Sequence, residues 1–319
     1  PWLTRSSKTP PSQTRTPSSS CFTGSGSPAA RGMPGILPGM THDQAVRTLK
    51  GSGRFGASGP RAELSPDAIS SLSLNPGVSA SLGQRRRVVL VHGVRTSATM
   101  WRAQCELLTD AGFAPVAVDL PGHGARQGEK FTLASARAAL GAAVDGDRRA
   151  VVVGLSLGGY VSMNWAARTS VPPAALILSS CTALPGGPFH QAFLHFSRLM
   201  GRRPSVGERF SDFAARVVLG EQGARDVADG GVSVAGQIQA LEAMQRATPL
   251  ADLVRISEAG VPVTFITGRF DHFRLDERAF LAAAASPPVR KIPTANHLVS
   301  LHRPQEYGQA LIGLLNALA

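Results

Sequence analysis

The 319-residue chain predicts an α/β fold, with a mostly parallel central sheet and helices on both faces. Two observations carry that expectation. The β-type segments are continuous apolar runs such as "VVLV" (88–91) and "VVV" (151–153), not alternating ones, as strands buried on both faces require. They also alternate regularly with segments of helical length, which implies right-handed crossovers between parallel strands. The length is sufficient for a sizeable core, and no apolar run is long enough to span a bilayer.

The elements follow in order. "RVVLVH" (87–92) is a strand stopped at Gly93, and "MWRAQCELLTDAG" (100–112) a helix with a glycine stop. "FAPVAVDL" (113–120) is the next strand, leading into "PGHG". "TLASARAALGAAV" (132–144) is an Ala-rich helix behind a threonine cap. "RAVVVGL" (149–155) is a strand, "LGGYVSMNWAART" (157–169) a helix, and "AALILSS" (174–180) a strand. The rhythm breaks between 184 and 259, where 189–200, 209–220 and 235–247 have helical spacing and no strand pattern is convincing. It resumes with the strand "VPVTFITG" (261–268), the helix 275–285, the short strand "VRKIPT" (289–294) and a closing helix at 304–318.

Composition changes near residue 85. The first 60 residues are rich in Ser, Thr, Pro and Gly and cannot bury enough apolar surface to offset their ordering entropy, so they are expected to be disordered. Residues 61–84 form a weakly ordered lead-in, with a possible edge hairpin at 70–82. The net charge is +12; eight Lys/Arg against three acids before Arg85 account for +5, and the remaining +7 is dispersed. The compact groups "RRR" (85–87) and "GRR" (201–203) lack interleaved aromatics, so no specific nucleic-acid partner is expected. Cys21, Cys105 and Cys181 show neither a disulfide framework nor metal spacing and read as free thiols. With no leader-like apolar core, a cytoplasmic location is expected.

The chemistry centres on Gly154-Leu155-Ser156-Leu157-Gly158, a G-x-S-x-G between a strand and a helix. A serine hydroxyl needs a base and positioning to become a nucleophile. The partners should follow in the order Ser, Asp, His. Asp271, in "TGRFDHF", lies just past a strand end, and His297, in "NHLVSLHRP", follows the last short strand. Asp276, His272 and His302 are the competitors, read as a helix-start charge, a surface or pocket residue, and a surface residue. The Leu157 amide, after the nucleophile, and the Val94 amide, in the loop after the first strand, are the expected oxyanion donors. Arg95 would line the pocket mouth. Such chemistry needs no cofactor and no metal.

The series "VVLVHG", "VDLPGHG", "VVGLSLGG", "TGRFDHF" and "NHLVSLHRP" resembles the successive motifs of the α/β-hydrolase superfamily over residues 85–319. The resemblance implies a core of 85–183 and 260–319, and a helical cap over 184–259 inserted after strand 6. It implies a Ser-Asp-His hydrolase of small, mostly apolar carboxylic esters, with lactonase, thioesterase or C–C bond hydrolase as alternatives. A non-catalytic small-molecule binder of the same fold is the reading from a different class. Relatives with an aspartate nucleophile are disfavoured by Ser156. The segment before Arg85 matches the usual first two strands poorly. Cap residues Phe189, Phe193 and Met244 are the candidate substrate contacts, although helical spacing suits them equally to the cap's own core.

Overall fold

The structure, a computed structural model, describes residues 22–23, 85–202, 204–286 and 289–318; the side chains of 22–23, Phe189, Met200 and 204–215 are outside that description. The expectations for 1–60 and 61–84, the hairpin included, therefore lie outside the described residues, except at Phe22–Thr23. Those two residues form β1, the edge of a seven-stranded sheet. The other strands are β2 (Arg87–Val91), β3 (Ala114–Val118), β4 (Val151–Leu155), β5 (Ala175–Ser179), β6 (Val263–Gly268) and β7 (Arg290–Ile292). Their order is β1-β3-β2-β4-β5-β6-β7, and every neighbouring pair is parallel. The six strands expected from the sequence are all present, shortened by a residue or more at their ends.

Alternate strand residues feed two cores, as a pleated strand covered on both faces demands. Val89, Val91, Val152, Leu176 and Phe265 point to one face, against Leu140 of α2 (Leu133–Val144), Val161 of α3 (Leu157–Ala166) and Phe280 of α8 (Glu277–Ala283). Val88, Leu90, Val151, Val153 and Ile177 point to the other, against Leu108 of α1 (Arg102–Asp110) and Tyr307 and Leu311 of α9 (Pro304–Ala317). The expected threonine cap is present: Thr132 accepts the Ser135 amide, and the Ser135 hydroxyl accepts the Thr132 amide, both at 2.9 Å.

Between β5 and β6 lie α4 (Pro188–Gly201), α5 (Pro204–Gly230), α6 (Val234–Met244) and α7 (Pro249–Glu258), with no strand among the described residues of this stretch. Gly220, at φ 73°, breaks α5 into two helical pieces. The end of α5 is bolted to the core: Arg102 pairs with Asp226 and, at 2.8 Å, with Asp229. Gln239 on α6 accepts the Phe131 amide at 2.8 Å. Helix α7 belongs to the sheet layer instead. It packs on α3 and α8, its Leu253 and Ile256 join the core, and buried Asp252 binds Arg168 at 2.7 Å and Asn164 at 3.0 Å. An amphipathic helix packed on the sheet has the same sequence signature as the helices before it. The cysteine reading is corrected as well: Cys105 is disulfide-bonded, whereas Cys181 is a buried free thiol. Spacing along the chain carries no information about which thiols the fold brings together.

Candidate active site

Parallel strands place their C-terminal ends, and the loops leaving them, along one edge of the sheet. The loops after β2, β4, β6 and β7 carry Val94, Ser156, Asp271 and His297 respectively. Ser156 caps α3 with φ 52° and ψ −116°, a strained geometry for a residue with a side chain. The turn is possible only because its flanks are bare. A Cβ on Gly154 would meet the Gly158 carbonyl oxygen at 2.5 Å, and one on Gly158 would meet the Val91 carbonyl oxygen at 2.1 Å.

The structure brings together the three residues that the sequence singled out. His297 Nε2 lies 3.1 Å from Ser156 Oγ, and His297 Nδ1 lies 2.9 Å from Asp271 Oδ1. Asp271 is buried, and the loops tie its position down. Thr267 Oγ1 donates to its Oδ2 and the Phe273 amide to its Oδ1, both at 2.9 Å. The Phe270 amide donates to the Ala295 carbonyl at 2.9 Å, joining the Asp271 loop to the His297 loop. Burial opposes ionisation of Asp271, but hydrogen bonding from His297, its charge and the Phe273 amide outweigh it and hold the carboxyl down to about 2. Ionised Asp271 fixes the His297 tautomer with Nδ1 as donor, leaving Nε2 to accept from Ser156.

The competing residues have other duties. Asp276 Oδ2 accepts the Leu184 amide at 2.6 Å, and His302 Nδ1 accepts the Asn296 amide at 3.2 Å, bracing the His297 turn. His302 is half-buried. His272 is a pocket residue: its ring centroid is 5.4 Å from that of His297, while the Phe273 ring lies 4.5 Å from His297, tilted by 39°. Burial, and then the proximity of His297, push His272 below the usual histidine value. Sequence reasoning gave Thr267 and Phe273 no role, although both lie within four residues of Asp271.

The Val94 and Leu157 amides line the same cavity as Ser156, and among the described residues neither donates to a backbone or side-chain acceptor. The Val94 loop is anchored from behind by His92. Its Nε2 accepts the Leu120 amide at 3.0 Å, so Nδ1 carries the proton and donates to the Gly93 carbonyl at 2.7 Å. Burial foremost, then nearby His123, lowers His92 to about 3, so it stays neutral. Asp119 holds the neighbouring loops, accepting the Ala98 amide at 2.7 Å and the Ala125 amide at 2.9 Å.

The cavity measures about 950 Å³ and its wall is mostly apolar. Arg95, Phe193 and Met244 line it as expected. Phe189 lies on α4, but its side chain is outside the described set. Tyr160, Leu219, Leu241 and Phe273 also line the cavity, and sequence spacing alone did not single them out. Tyr160 is held by a 2.5 Å hydrogen bond to the Ala183 carbonyl.

A strand–turn–helix serine joined to histidine and aspartate at the C-terminal edge of a parallel sheet defines a class before any comparison is made. The chain belongs to the alpha/beta hydrolase family, whose sequence model matches residues 88–310. The fold is shared with many solved structures. A carboxylesterase of the thaumarchaeon Nitrososphaera gargenis is 18% identical, with 74% of this chain and 91% of that one aligned at a TM-score of 0.63. A thermophilic esterase from Thermogutta terrifontis is 24% identical over 73% of this chain and 90% of its own, with a TM-score of 0.59. A bromoperoxidase from Bacillus anthracis is 18% identical over 73% and 92%, with a TM-score of 0.61. No curated protein sequence matches. Among the described residues, no helix is long and apolar enough to cross a membrane.

Proposed function

We propose that the protein is a serine hydrolase that cleaves mostly apolar carboxylic esters through an acyl-enzyme. His297 Nε2 takes the Ser156 proton as Oγ attacks the ester carbonyl carbon. The Val94 and Leu157 amides receive the oxyanion of the tetrahedral intermediate, assisted by the N-terminus of α3. Asp271 stabilises the imidazolium, which returns the proton to the departing alkoxide. Water then repeats the sequence on the acyl-enzyme, releasing the acid and restoring Ser156. Helices α4 to α6, from about residue 184 to 247, act as the cap that roofs the apolar cavity. The cavity has room for an acyl or alcohol group longer than a short chain.

The observation that carries the proposal is the bridge formed by His297, 3.1 Å from Ser156 and 2.9 Å from Asp271, beside two amides that have no acceptor among the described residues. The esterases among the fold neighbours are consistent with it. The test is a panel of p-nitrophenyl esters from acetate to laurate, with a lactone and a thioester beside them. Ester turnover is expected to fall by about 10³-fold or more in Ser156→Ala and in Asp271→Asn, but little in Asp276→Asn. Undiminished turnover in Ser156→Ala would reject the mechanism. A preference for the lactone or thioester would move the substrate class while keeping the nucleophile.

A further inference from the structure

Arg95 is the one arginine or lysine on the cavity wall among the described residues. It directly follows Val94, and it holds φ 63°, a left-handed backbone that residues other than glycine, asparagine and aspartate rarely adopt. Strain of this kind persists where the surrounding structure enforces a side-chain direction. The side chain is partly buried, lines the cavity that contains Ser156, and meets Gln237 Oε1 at 3.4 Å. Gln237 is fully buried on α6, and its Nε2 donates to Ser197 Oγ, which fixes the amide with its oxygen toward Arg95. Ser197 in turn donates to the Phe193 carbonyl at 2.6 Å. A polar chain thus runs from Ser197 through Gln237 to the guanidinium of Arg95 on the wall of the cavity that holds Ser156.

The other ionisable groups on the cavity wall are placed differently. His190 donates to the Leu241 carbonyl at 2.9 Å, and His272 packs toward His297. The cavity's one acid beyond the triad, among the described residues, is Asp276, which is bound to the Leu184 amide. Sheet order puts β2, with Arg95, on one side of β4, and β6, with Asp276, on the other. Ser156, leaving β4, therefore lies between a cationic and an anionic wall, and a substrate with one charged end would be oriented by them. Burial draws Arg95 below the usual arginine value. A guanidinium matches a carboxylate through two parallel N–H···O bonds.

We infer that Arg95 binds a carboxylate on the substrate, so that the preferred ester is a monoanion whose anionic end lies on the β2 side of Ser156. The inference rests on the serine-hydrolase reading above and names the substrate class that this reading leaves open. Specificity would come from the pairing itself: a carboxylate accepts guanidinium N–H bonds, and a methyl group does not.

The test compares p-nitrophenyl butyrate with mono-p-nitrophenyl succinate, in which a carboxylate replaces the terminal methyl. In Arg95→Gln, the ratio of kcat/KM for the succinate to that for the butyrate is expected to fall by about tenfold or more, and Arg95→Lys should keep part of it. Added KCl should lower the same ratio in the wild type. An unchanged ratio in Arg95→Gln, or a wild type that cleaves the butyrate and refuses the succinate, would overturn the inference and leave the hydrolase reading intact. If both esters are refused, labelling of Ser156 by a fluorophosphonate becomes the readout. Monomethyl succinate should slow labelling in the wild type and not in Arg95→Gln; absence of protection would overturn the inference. Absence of labelling in folded protein would remove the hydrolase reading itself.

Discussion

Replacing Gly158 by alanine tests how the elbow is held. The new Cβ would sit 2.1 Å from the Val91 carbonyl oxygen, 2.6 Å from its carbon and 2.7 Å from the His92 carbonyl oxygen. All three are backbone atoms at the end of β2, which is hydrogen-bonded on both sides and fully buried from Val88 to Val91. That strand has no room to yield, so the start of α3 must move. Reaching even a 3.0 Å contact requires a shift of about 0.9 Å from the 2.1 Å starting point. Ser156 and the Leu157 amide would move with it, while Val94, beyond β2, stays in place. A misplacement near 1 Å costs about 10²-fold in rate, and overpacking costs about 1–3 kcal/mol, partly offset by alanine's helix propensity. The expected result for Gly158→Ala is kcat on p-nitrophenyl butyrate reduced about a hundredfold and stability in urea reduced by about 1–2 kcal/mol. Gly128→Ala, whose Cβ meets nothing within 4 Å, is the control and should match the wild type. Wild-type kcat and urea midpoint in Gly158→Ala would refute the close-approach argument.

Three further outcomes follow from the same geometry. Asp271 falls from its ordinary 3.8 to about 2 on folding, so it contributes stability above pH 4 that is lost as pH drops toward 2. The amount is about 2 kcal/mol; Asp271→Asn should therefore flatten the acid limb of a urea-midpoint titration, and parallel curves would contradict the assignment. His92 is held neutral down to about pH 3, whereas the unfolded chain takes up its proton near 6.5, so stability should decline as pH falls between those values. Imidazole NMR at pH 5 should find it neutral with the proton on Nδ1, and an imidazolium signal would contradict this. Asp252, buried between Arg168 and Asn164, joins α3 to α7, so Asp252→Ala should cost about 3 kcal/mol or more by urea unfolding; a loss below about 1 kcal/mol would contradict its bridging role.

The legible parts of the molecule were those whose constraints are local. Gly154 and Gly158 are demanded by contacts within a few residues of Ser156 or with the adjoining strand end, so a short motif carries them. Asp271 and His297 could be placed because each follows a strand, and a parallel sheet brings such positions to one edge. What was not legible depends on distant neighbours. Helix α7 has the periodicity of the helices before it; only its contacts with α3 and α8 place it in the sheet layer. The break at Gly220 looks in sequence like one more helical glycine. The bond at Cys105 has no counterpart in cysteine spacing. The polar chain from Arg95 through Gln237 to Ser197 joins residues 142 and 40 positions apart, a separation no local pattern encodes.

The central claim is that Ser156 is a nucleophile activated by His297, and covalent trapping tests it most directly. The folded protein is incubated with a fluorophosphonate, digested, and the adduct located by peptide mass, with Ser156→Ala alongside. A single adduct on Ser156 is expected, absent in Ser156→Ala and much slower to form in Asp271→Asn. Folded wild-type protein that remains unlabelled, or that carries its label on another residue, would contradict it.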